Sequence, residues 1–152
     1  MAVKRIEAGL NSKTTKKRAA SSIKPALHLE AVVELAFKTI TAHKGITPVI
    51  LGVKGLCGFA DYFVICSGTS RRHVMALAQH LEEELARAGV KPLGVEGLQD
   101  GHWILLDFND VVVHIFLQPM REFYDLEGLW AEAERVTLDN LPTEPVQPET
   151  VT

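Results

Sequence analysis

The chain has 152 residues, of which 47% are hydrophobic and 23% charged, the proportions of one folded domain with tails rather than of a disordered chain. No apolar run approaches the roughly 18 residues of a membrane-spanning helix, no apolar signal core follows the start, and Cys57 and Cys66, outside any CxxC pair, exclude a disulfide framework; the simplest expected address is the cytosol. The net charge of −3 is split: residues 1–26 carry seven Lys/Arg and one Glu, residues 27–136 nine Lys/Arg and fifteen Asp/Glu, and residues 137–152 three acids and no base.

Taken in order, "MAVKRIEAGLNSKTTKKRAASSIKP" has no apolar period and is rich in Lys, Ser and Thr, so residues 1–26 read as a disordered basic arm. Three roles stay open for it: a solvated tail, a loose contact with RNA phosphates, or a mitochondrial presequence, which its Lys-over-Arg bias disfavours. Leu29, Val32, Ala36 and Ile40 then recur at helical spacing, with Gly45 as the expected stop. "PVILGVKG" is a short β-branched strand, "GLCGFA" a loop, and "DYFVICS" a strand apolar enough to be covered on both faces. Ser70 is placed to cap a helix whose stripe is Val74, Leu77, Leu81, Leu85 and Ala88 and whose left-handed stop is Gly89. "KPLGVEG" is a short strand, and "HWILLDF" and "VVVHIFL" form a hairpin around "ND". Pro119 ends the last strand, and Phe123, Leu126 and Trp130 place one helix after it. "TLDNLPTEPVQPETVT", residues 137–152, reads as a flexible acidic tail. The order helix, two strands, helix, three strands, helix predicts a single compact α/β domain over 27–136 with a mixed, mostly five-stranded sheet.

Chemistry is sparse. Strand alternation puts Val112, His114 and Phe116 on one face, with no second catalytic group fixed beside the imidazole, so a hydrogen-bonded structural histidine outweighs an acid–base one. His73 and His80 are seven apart, His28 and His43 fifteen, and neither HExxH nor CxxC occurs, so no metal is implied. "SGTS" at 67–70 sits between strand and helix, where anions bind, but fits no nucleotide-loop pattern. Asp107 and Asp110 bracket the hairpin with two residues between them, the wrong spacing for two carboxylates on one strand face that share metal ions, so a nucleotidyltransferase-like enzyme using "SGTS" and these acids is the lesser alternative. Trp103 at a strand start reads equally as core or as an interface anchor. An acidic body repels nucleic acid phosphates and suits a basic protein partner.

The segments "GLCGFADYFVICSGTSRRHVMALA", "PLGVEG", "GHWILLDFNDVVVHIF" and "REFYDLEGLW" together resemble the ribosomal silencing factor, or Iojap-related, family over roughly residues 27–136. The resemblance implies a nucleotidyltransferase-like fold without its catalytic carboxylates, no enzymatic activity and no cofactor. It also implies binding to the large ribosomal subunit through its protein L-fourteen. That binding would block joining with the small subunit and lower translation under nutrient limitation. Organelle relatives act in large-subunit assembly, and free members form homodimers. The expected contact surface is the exposed side of the sheet and its adjoining helix, with Trp103 as anchor, Asp107 and Asp110 facing basic groups of the partner, and Tyr124 and Asp125 nearby.

Overall fold

The computed structural model describes residues 27–142. The elements are α1 (Leu29–Ala42), β1 (Ile46–Gly52), β2 (Tyr62–Gly68), α2 (Arg71–Arg87), β3 (Gly94–Glu96), β4 (Trp103–Asp107), β5 (Val111–Leu117), α3 (Gln118–Tyr124), α4 (Leu126–Leu129) and β6 (Glu134–Val136). They form an α/β domain around one six-stranded sheet in the order β3-β4-β5-β2-β1-β6. The central β2–β5 pair is parallel and every other pair antiparallel.

Strand alternation divides the apolar residues between two faces. On one face Val64, Cys66, Ile104, Leu106, Val113 and Ile115 meet Val33, Ala36 and Ile40 of α1 and Val74, Leu77, Leu81 and Leu85 of α2. The opposite face carries Leu51, Phe63, Ile65, Leu105, Val112 and Phe116, covered by Val53 and Phe59 of the loop after β1 and by Leu126 of α4. β2 is buried at every position, as a strand between two such layers must be. Each fully buried Leu, Ile or Phe contributes about 1.5–3 kcal/mol of transfer free energy, so these two layers carry most of the stability.

The helix ends follow from local chemistry. Ser70 Oγ accepts from the His73 amide at 3.1 Å, and Gly89 closes α2 at φ 88° while the Val90 amide reaches back to the Leu85 carbonyl. At the end of α1 the left-handed residue is Lys44 (φ 66°) rather than Gly45, whose amide donates to the Ile40 carbonyl. His73 ties the two helices together: its Nδ1 accepts from the Thr69 amide at 3.0 Å, which leaves Nε2–H to donate to the His43 carbonyl at 3.0 Å.

Three expectations are corrected. The sheet has a sixth strand, β6, which pairs with the end of β1; with three residues and two exposed charged positions it has no apolar alternation to read. The folded unit also runs past 136, because Leu138 packs on the core and Leu141 is 5% exposed; two isolated leucines among prolines and acids make no periodic signal. The basic arm at 1–26 and the tail from 143 onward lie outside the described residues. Finally, the single helix after Pro119 is two, broken at Asp125, which sits in the left-handed region at φ 46°, ψ 54°.

Candidate partner-docking face

Antiparallel pairing of β4 with β5 sets Trp103 opposite Phe116 and Leu105 opposite His114. Gly97 makes the approach of β3 to this strand possible: at φ 90° a Cβ there would lie 1.9 Å from the Trp103 carbonyl oxygen. The half-buried Trp103 indole is 4.8 Å from the rings of both Phe116 and Tyr124, and Phe123 adds a fourth ring 5.2 Å from Tyr124. Phe116 is fully buried, Tyr124 is 36% exposed and Phe123 is 76% exposed. The cluster therefore grades from core to solvent within one group of aromatic contacts. Glu122 and Asp125, both exposed, bracket the two outer rings in the sequence. Helical spacing puts Phe123, Leu126 and Trp130 on one helix; the break at Asp125 separates them and leaves Phe123 in solvent while Leu126 is buried.

Asp125 shapes this corner. Its Oδ1 accepts from the Gly128 amide at 3.1 Å and caps α4. A Cβ at Gly128 would sit 2.1 Å from Asp125 Oδ2, so a larger residue there would push the capping carboxylate aside. Sequence reading missed the group that clamps α3 to the sheet, Arg121. It is 8% exposed and pairs through Nε and Nη2 with both Glu127 oxygens at 3.0 and 3.1 Å. Its Nη1 donates to the Ile46 carbonyl and to Ser67 Oγ. The signal was faint, a lone Arg six residues before a Glu, and only the fold brings β1 and β2 to it.

His114 is 1% exposed. Its Nδ1 accepts from Trp103 Nε1–H at 3.1 Å, and burial holds its pKa down at about 3, so the ring is neutral with its proton on Nε2. That Nε2 has no hydrogen-bond partner among the described residues. The ring sits edge to face with Phe63 at 4.8 Å.

The two hairpin carboxylates leave the expected surface. Asp107 is 2% exposed, and its Oδ1 accepts from the Asn109 amide at 2.9 Å, closing the turn in which Asn109 takes φ 85°. An aspartate used to fold its own turn does not face a partner. Asp110 lies beyond it, at the end of the hairpin remote from Trp103, where its carbonyl accepts from the Asp61 and Tyr62 amides. The structure thus brings Trp103, Tyr124 and Asp125 to one end of the sheet and sets Asp107 and Asp110 at the other. At that far end burial, then the charge of Asp110, push the Asp61 carboxyl above its ordinary value. Its charged form is disfavoured on folding, so that loss of stability appears as pH rises through the raised pKa and is absent in acid. Asp61→Asn is expected to raise the denaturation midpoint at pH 7, with the gain shrinking toward pH 3; equal midpoints at pH 7 would count against it.

The "SGTS" turn spends its free groups internally, the Thr69 amide on His73 Nδ1 and Ser70 Oγ on the His73 amide. Among the described residues no group of three His, Cys, Asp or Glu is placed to hold a metal ion, and no helix is long and apolar enough to cross a membrane.

The family described as "Ribosomal silencing factor during starvation" matches residues 26–151. A "Ribosomal silencing factor RsfS" from Halalkalibacterium halodurans is 35% identical over 112 residues, covering 74% of this chain and 96% of that protein. The mouse "Mitochondrial assembly of ribosomal large subunit protein 1" is 37% identical over 75 residues, 47% of this chain and 33% of that one. A crystal structure of a Chromobacterium violaceum protein superposes with a TM-score of 0.67 at 34% identity, covering 69% of this chain and 88% of the other.

Proposed function

This chain belongs to the ribosomal silencing factor family, and from that we propose that it binds the large ribosomal subunit and keeps the small subunit from joining it, lowering translation when nutrients are short. The observation that carries the reading is the graded aromatic face of Trp103, Tyr124 and Phe123 flanked by Glu122 and Asp125. Blocking a joint requires occupancy of a surface and no bond-making. A large solvent-exposed ring such as Phe123 is costly to leave in water and is the kind of residue that interfaces bury. Flanking carboxylates steer toward a basic partner, which fits ribosomal protein L-fourteen on the subunit face. The arm at 1–26 would add a weak, salt-screened contact with ribosomal RNA.

The test is to mix purified large and small subunits with saturating protein and follow the joined fraction in a sucrose gradient. Joining is expected to fall, and joining unchanged at saturation refutes the reading. Phe123→Ser, at a position 76% exposed, is expected to weaken subunit binding about fivefold or more while the melting temperature stays put. The name of the mouse relative favours a second reading, a role in large-subunit assembly. That role alone would leave the joining of mature subunits untouched.

A further inference from the structure

We propose that His114 is a positioning residue for the docking face: it fixes the Trp103 indole by taking its only polar hydrogen, so that Trp103 meets a partner with ring carbon alone. This rests on the reading that the Trp103 face docks. The geometry carries it. Trp103 Nε1 lies 3.1 Å from His114 Nδ1, and the two rings are 5.9 Å apart. The indole also meets the Phe116 and Tyr124 rings, at 4.8 Å each, and it can turn only about its Cα–Cβ and Cβ–Cγ bonds. The directional hydrogen bond to His114 selects one setting of those two torsions.

His114 is an expensive way to fill its position. It lies on β5 opposite Leu105 on the apolar face that also holds Phe63, Ile65 and Phe116, where an aliphatic residue would pack without polar atoms. As the acceptor from Trp103 it must carry its proton on Nε2, which is buried without a hydrogen-bond partner among the described residues. The uncompensated N–H is the consequence of keeping the acceptor, and the acceptor serves Trp103. A partner matching this anchor presents apolar or cationic surface to the indole, because a hydrogen-bond acceptor there would find no donor.

The test uses the full chain and large ribosomal subunits. Nitrogen-15 spectra of the wild-type protein read the lock without any partner. His114 is expected as the Nε2–H tautomer, and the Trp103 indole N–H to exchange with water at least tenfold more slowly than a free indole. The second tryptophan, Trp130, is the internal reference. His114→Phe removes the acceptor and keeps a ring, whereas His114→Asn keeps an acceptor near the Nδ1 position. We expect the first to speed Trp103 indole exchange and weaken subunit binding about tenfold, and the second to restore most of both. An Nδ1–H tautomer, or a freely exchanging indole, overturns the positioning role. So does a folded His114→Phe protein that binds as tightly as wild type. If His114→Phe does not fold, the wild-type tautomer and exchange rate, with His114→Asn, still decide. Wild-type spectra that show the lock, together with Trp103→Ala binding normally, would instead sink the docking reading.

Discussion

Arg121→Met is expected to lower the unfolding free energy by about 3 kcal/mol, the low end of the range for breaking a buried pair. Among the described residues the guanidinium is the group that joins Glu127, the Ile46 carbonyl and Ser67 Oγ. Methionine fills the volume but leaves the carbonyl and the hydroxyl unpaired. The loss stays at the low end because Glu127 keeps Arg135 at 3.7 Å and its side chain is 18% exposed. Arg121→Lys should recover little, since one ammonium cannot supply the two parallel bonds that the planar fork makes. Removing Glu127 as well should restore part of the loss, because the carboxylate left with only the 3.7 Å contact to Arg135 is then gone. Urea denaturation measures all three variants, and a loss under about 1 kcal/mol for Arg121→Met would show the clamp to be incidental. Since α3 carries Phe123 and Tyr124, the same substitution should also loosen whatever those rings hold.

Acid should unfold the protein partly through one histidine. The His114 pKa is held at about 3 against an ordinary 6.5 because the ring is buried away from water. The unfolded chain therefore takes up a proton between these values and the folded chain does not. The contribution to stability is complete above pH 6.5 and is lost as pH falls toward 3, at about 1.4 kcal/mol per pH unit. At pH 4.5 the accumulated loss is about 3 kcal/mol relative to neutral pH. Carboxylates contribute acid sensitivity of their own, so the quantity to measure is the difference between wild type and His114→Phe. That difference should move in favour of the variant as pH drops from 7 to 4. A difference independent of pH would mean the imidazole is hydrated in the folded state.

The residue pattern by itself determined the α/β class, the element order through β5, the Ser70 cap, the Gly89 stop, the strand end before Pro119 and the face shared by Val112, His114 and Phe116. Each of these is a local property: it depends on side-chain period, on φ preference or on a missing amide, and all three are written within a few residues. The motif order also carried the family. What the pattern left out depends on which distant segments meet. β6 and Leu141 have no period and are held by a surface that exists only once β1 and α1 are in place. Asp107 and Asp110 read as partner-facing acids, yet the demands of the hairpin turn bury one and carry the other away from Trp103. Phe123 shared one helical spacing with Leu126 and Trp130, yet it is the most exposed large ring among the described residues, because one left-handed residue, Asp125, redirects the chain. Arg121 and Trp103 gained their roles from partners 54 and 11 residues away, a serine hydroxyl and a histidine nitrogen. Hydrogen bonds of that kind are chosen by tertiary packing, since a buried polar group must take whichever partner the folded sheet delivers to it.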